Sequence, residues 1–286
     1  MNESLLDLSG KIDGITVEFL ETIADMAESL NVPFFVVGAM ARDIILVQGY
    51  GIVTGRATED IDLAVQVSDW NCYERLREAL ITTGNFRCEK KQAQRLVYKE
   101  LHQIDIIPFG AIAGQDGCLS WPPEHNTIIS TLGFREAYSN SITVRMKARP
   151  VIDIQFVSLP GLALLKIISW NDNPLRRKKD AEDLLFLMRK YLDGGNQKRL
   201  WEEERDLVGE NFDYTRASSK LLGRDIAKIL SPDIKEAVVK ILEKETGEQN
   251  QYRLVEDMMG RDEESGTFGI VLELLEDLKT GILERL

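Results

Sequence analysis

At Ser158-Leu159-Pro160 the hydrophobic pattern of this 286-residue chain changes period. Before that point short apolar runs of strand length alternate with helical stretches, and after it nearly every segment repeats its apolar residues at helical spacing. Such a pattern predicts an α+β protein: a mixed sheet with flanking helices over residues 1–158, then a helical domain over 159–286.

Within the first part, Thr16 to Ser29 reads as an amphipathic helix with Thr16 as N-cap, closed by Asn31-Val32-Pro33. Phe34-Phe35-Val36-Val37 reads as a buried strand, and Gly38-Ala39 as a tight turn into a helix from Met40 to Val47. Gln48 to Thr58 is expected to be a loop. A strand starting near Asp60 runs to about Val67, and Ser68-Asp69 caps a helix through Ile81. Further strands are expected at Phe86 to Glu89, Arg95 to Lys99, Gln103 to Ile107, Ser141 to Val144 and Val151 to Val157, with Gly110 to Asn126 a long loop. The helical part reads as Pro160 to Trp170, Lys178 to Leu192, Arg216 to Ile229, Asp233 to Glu245 and Thr267 to Leu286.

Two strands carry the chemistry. In Asp60-Ile61-Asp62-Leu63 alternate side chains share a face, so the two carboxylates point the same way. In Gln103-Ile104-Asp105-Ile106-Ile107 a third carboxylate interrupts an apolar strand, where it needs a cation or hydrogen-bond donors. Adjacent carboxylates on a rigid edge suit Mg²⁺, a hard ion that takes its remaining ligands from water and substrate phosphates. If the strands are neighbours, Asp60, Asp62 and Asp105 converge as a metal site for phosphoryl or nucleotidyl transfer, with Asp105 placed to accept the nucleophile's proton. Taken alone, each motif is also what a solvated turn or a strand facing water would show. Gly38 and Ala39 let backbone N–H groups approach a phosphate, and Arg42 and Asp43 read either as phosphate ligand and brace or as a surface pair. Lys166 interrupts the apolar run around Leu162, Leu164, Leu165, Ile167 and Ile168, which is costly for a lysine unless it meets an anion. Asp180 and Asp183, one turn apart, are placed to orient Lys166 or a nucleotide, while Trp170 reads as core.

A formal net charge of −12 argues against an extended nucleic-acid coat, although Arg176-Arg177-Lys178-Lys179 forms a local basic run. Cys72, Cys88 and Cys118 are odd in number and widely spaced, which predicts neither a disulfide framework nor a zinc site. No run reaches membrane-spanning length, and Met1-Asn2-Glu3-Ser4 lacks a leader's features, so a cytoplasmic location is expected. His102 and His125 suggest no role.

Phe34 to Asp43, Asp60-Ile61-Asp62-Leu63 and Ile104-Asp105-Ile106 together resemble the nucleotidyltransferase fold of the DNA polymerase beta superfamily. Lys166, followed by Arg177, Lys179, Asp180, Asp183 and Leu184, resembles the AbiEii/AbiGii-type nucleotidyltransferases, the toxins of type IV toxin–antitoxin systems. The resemblance spans roughly residues 30 to 190. It implies transfer of NMP from an NTP to an acceptor hydroxyl on a tRNA end, a protein side chain or a small molecule, with one or two Mg²⁺ ions and an antitoxin partner. It further implies metal binding by Asp60, Asp62 and Asp105, and nucleotide binding by Gly38, Ala39, Arg42, Lys166, Arg177, Asp180 and Asp183. Ala39 departs from the family's Gly or Ser at that turn, and Arg42-Asp43 looks more like the helix of tRNA CCA-adding enzymes. A CCA-adding-like enzyme and a catalytically silent nucleotide-binding protein are therefore the competing readings.

Overall fold

Phe34–Val37 is apolar on both faces, as a strand covered on both sides must be, and Ile61–Gln66 is apolar apart from Asp62 and Gln66. In the computed structural model they occupy the centre of an eight-stranded sheet. The structure describes residues 5–54, 60–89, 92–114, 117–122, 128–247, 252–260 and 267–284. It contains two compact units, Met1–Ser158 and Leu159–Leu286.

The first unit runs β1 (Leu5–Asp7), α1 (Gly14–Ser29), β2 (Phe34–Val37), α2 (Gly38–Asp43), β3 (Ile61–Gln66), α3 (Trp70–Thr82), β4 (Phe86–Cys88), β5 (Arg95–Tyr98) and β6 (His102–Phe109). It continues with β7 (Cys118–Ser120), β8 (Ile128–Ser130), α4 (Phe134–Ser139), β9 (Ile142–Ala148) and β10 (Val151–Phe156). The large sheet has the order β1-β9-β10-β2-β3-β6-β5-β4. It is mixed: β1 with β9, β10 with β2 and β3 with β6 are parallel pairs, and the others are antiparallel. Phe19 and Leu20 of α1 and Tyr73, Leu76 and Leu80 of α3 are buried with Leu63, Ala64, Ile104 and Phe109 of the central strands. That burial anchors β3 and β6, the strands that carry Asp62 and Asp105.

Several local features differ from the sequence expectation. Asp13, not Thr16, caps α1, its carboxylate accepting from the Thr16 amide at 2.9 Å; the acceptor three residues upstream reaches the free amide of the first turn, and Thr16 lies inside the helix. At α3 the expected cap is present, Asp69 accepting from the Cys72 amide at 2.9 Å. The expected loop from Gln48 begins later, because α2 continues into a π-helical turn over Ile44–Gly49, and residues 55–59 lie outside the described residues. The expected loop Gly110 to Asn126 contains β7, which pairs with β8 beyond it as a separate hairpin. β1 and α4 had no counterpart in the sequence reading.

The second unit comprises α5 (Leu159–Asp172), α6 (Lys178–Lys190), α7 (Arg199–Glu202), α8 (Tyr214–Ile229), α9 (Pro232–Thr246), α10 (Arg253–Met259) and α11 (Thr267–Glu284). α5 is buried nearly all round, as an apolar helix without a polar face must be. α8 and α11 cross where Gly223 and Gly281 meet: a Cβ at Gly223 would lie 2.1 Å from the Leu278 carbonyl, and one at Gly281 2.2 Å from the Lys220 carbonyl. Among the described residues no helix is long and apolar enough to cross a membrane.

Candidate active site

β3 and β6 run parallel, and their register sets Asp62 directly beside Asp105. Neighbours in register project to the same side of a sheet, so the two carboxylates share a face. On the other side of β6, the antiparallel β5 sets Arg95 opposite Asp105. Its guanidinium closes on that carboxylate as a fork, Nε donating to Oδ1 at 2.7 Å and Nη2 to Oδ2 at 2.8 Å. Nη1 donates to Gln103 Oε1. Nη2 also lies 3.9 Å from Asp60 Oδ1, just before β3. Both members of the fork are largely shielded from solvent, with side chains 15% and 16% exposed, whereas Asp60 is 56% exposed. The hydrogen bonds it donates to Asp105, with the charges of Asp105, Asp60 and Asp62, hold the Arg95 guanidinium above its usual range.

β2 lies on the other side of β3 and sets Val37 beside Asp62. The next residue, Gly38, has φ +73°, and a Cβ there would sit 2.0 Å from Asp62 Oδ2. Only glycine meets both constraints. Ala39 follows as the second residue of α2, a helix that no side chain caps. Arg42 is buried, 3% exposed, and its Nε donates to Asp43 Oδ1 at 2.8 Å.

The donor set on this face is oxygen-only and anionic, which fits a hard divalent cation, and it already attracts a cation in the form of Arg95. Among the described residues no three Asp, Glu, His or Cys side chains are grouped at metal-holding distance. The carboxylates are arranged around the guanidinium.

The second unit brings together Lys166 of α5 and Asp180 and Asp183 of α6. The Lys166 ammonium donates to Asp180 Oδ1 at 2.6 Å and lies 2.8 Å from Asp183 Oδ2, with Ser169 Oγ donating to Asp180 Oδ2 at 3.0 Å. Burial alone would favour the neutral amine, but the two carboxylates outweigh it and raise the Lys166 pKa above its ordinary value. Arg177 precedes α6, 54% exposed and 3.8 Å from Asp180 Oδ2. Of the basic run, Lys178 reaches Asp257 at 3.2 Å, and Asp257 also accepts from the buried Trp170 indole at 3.0 Å. Trp170 is thus core with its polar end satisfied. The three cysteines are free thiols. His102 stacks on Phe19, with ring centroids 6.4 Å apart, and His125 lies outside the described residues.

Arg95 and Ser169 were not singled out by sequence reasoning. Arg95 was findable: the expected strands Arg95 to Lys99 and Gln103 to Ile107 leave only a short turn between them, and counting outward from it sets Arg95 opposite Asp105. Ser169 lies three residues after Lys166 on one helix face, too common a spacing to signal anything.

No curated protein matches the chain. Among solved structures, the chain is similar to ANT(2")-Ia in complex with adenylyl-2"-tobramycin, at 18% identity and TM-score 0.32 over 57% of this chain and 80% of that one. It is similar also to the Thermotoga maritima CCA-adding enzyme complexed with tRNA, at 12% identity and TM-score 0.32 over 97% and 83%, and to a putative nucleotidyltransferase from H. pylori, at 10% identity and TM-score 0.33 over 96% and 97%. The family described as nucleotidyl transferase AbiEii toxin, type IV TA system, matches residues 26–273, nearly the whole chain, and the protein therefore belongs to this nucleotidyltransferase family.

Proposed function

We propose that the protein transfers NMP from an NTP to an acceptor hydroxyl in a Mg²⁺-dependent reaction, and that it acts as the toxin of a pair with an antitoxin partner. The observation that carries the reading is the register of β3 and β6, which sets Asp62 beside Asp105 with the Gly38 turn closed against Asp62. In the reaction the acceptor oxygen bonds the α-phosphorus, the α–β bridging P–O bond breaks, pyrophosphate leaves with the electron pair and the hydroxyl proton passes to solvent. Asp60, Asp62 and Asp105 would hold the metal, which when bound neutralises triphosphate charge and makes the acceptor hydroxyl more acidic. Gly38 and Ala39 offer backbone N–H groups to the triphosphate at the uncapped start of α2. Arg42, paired with Asp43 on that helix, would meet a phosphate of the nucleotide. Within the second unit, Asp180 and Asp183 hold the Lys166 ammonium, and Arg177 is the exposed cation beside them.

The test is to incubate the protein with each NTP labelled at the α-phosphate, with and without Mg²⁺, together with bulk RNA, protein and small-molecule acceptors. Metal-dependent label on one acceptor class is the expected result and identifies that class. No labelled product from any NTP with any class would overturn the reading.

A further inference from the structure

Carboxylates on neighbouring strands repel one another unless a cation lies between them. In this protein that cation is Arg95. We infer that Arg95 is the resident counter-cation of the carboxylate edge, holding Asp105 in the metal-free protein and competing with a divalent ion for it. The inference rests on the reading of Asp60, Asp62 and Asp105 as metal ligands.

Three observations carry it. The fork covers both oxygens of Asp105, at 2.7 and 2.8 Å, so an entering ion must share or take an oxygen that already accepts from Arg95. The same guanidinium reaches toward Asp60 at 3.9 Å, while Gln103 holds its remaining arm, so it is fixed between two of the three carboxylates. The pair is directly cross-strand and largely shielded, unlike an exposed ion pair that water and salt would dilute. Arginine also stays protonated at any working pH, so this competitor does not titrate away. Two cations that share one carboxylate oppose each other reciprocally: whatever Arg95 contributes to the metal-free fold it subtracts from metal affinity.

The experiment is calorimetric titration of the full chain with Mn²⁺, with thermal unfolding in its absence and presence, for wild type, Arg95→Gln, Arg95→Lys and Asp62→Asn. Arg95→Gln is expected to unfold at a lower temperature without metal, to bind Mn²⁺ about tenfold more tightly, and to gain more from Mn²⁺ than wild type does. Arg95→Lys keeps the charge but cannot cover both oxygens, so its affinity is expected to fall between the two; it also serves where Arg95→Gln does not fold. Wild-type binding that Asp62→Asn abolishes, with Arg95 variants no tighter than wild type, overturns the inference and leaves the metal reading standing. Absence of Mn²⁺ binding by wild type and by both Arg95 variants overturns both.

Discussion

Gly38 is the residue at which backbone and site meet. Its φ of +73° and the 2.0 Å approach of a hypothetical Cβ to Asp62 Oδ2 mean that Gly38→Ala both strains the turn and displaces the carboxylate. The variant is expected to lose about 1–3 kcal/mol of stability, measured by urea unfolding, together with most nucleotidyl transfer. Lys166 makes a second residue-scale prediction. Lys166→Met leaves Asp180 and Asp183 buried together without their cation and is expected to cost about 3–5 kcal/mol. Asp180→Asn should cost less, because Asp183 still pairs with the ammonium; equal losses in the two variants would contradict the arrangement.

At the scale of elements, the α8–α11 crossing depends on having no side chain at two positions. Gly223→Ala and Gly281→Ala each place a methyl against backbone that cannot give, and both are expected to lower the unfolding midpoint strongly. Gly269→Ala, in open space near the start of α11, is the contrasting case: replacing a helical glycine there should stabilise by roughly 0.5–1 kcal/mol. The elements legible in the sequence were those long enough to display a period. β6 and the long helices α3, α6, α8, α9 and α11 each carry a run of buried positions at their own spacing, while β3 and α5 stand out as continuous apolar runs. β1, β7 and β8 are three residues each, too short to show alternation, and α7 and α10 are too short to show a helical stripe. The carboxylates were legible one by one. Their adjacency was not, because the parallel pairing of β3 with β6 skips α3, β4 and β5 and is fixed by tertiary packing alone.

Across the whole molecule, the acidic composition makes acid the informative stress. Burial opposes the charge of Asp225, yet hydrogen bonds from Arg199, Lys228 and Tyr191 outweigh it and lower the Asp225 pKa. Arg224 lowers that of Asp206 in the same way. A carboxylate whose folded pKa is depressed contributes fully above its unfolded value of about 3.9 and loses that contribution as pH falls through the folded value. Unfolding midpoints should therefore fall steeply below about pH 4, and Asp225→Asn, less stable at neutral pH, should show a shallower decline. The central claim concerns the edge shared by β3 and β6, and one measurement addresses it most directly: transfer of α-phosphate label from NTP in the presence of Mg²⁺, compared between wild type and Asp62→Asn at matched thermal stability. Robust transfer by wild type with a loss of at least a hundredfold in Asp62→Asn is what the account predicts, at the scale of about 2.7 kcal/mol in the barrier. Equal transfer by the two proteins would contradict it.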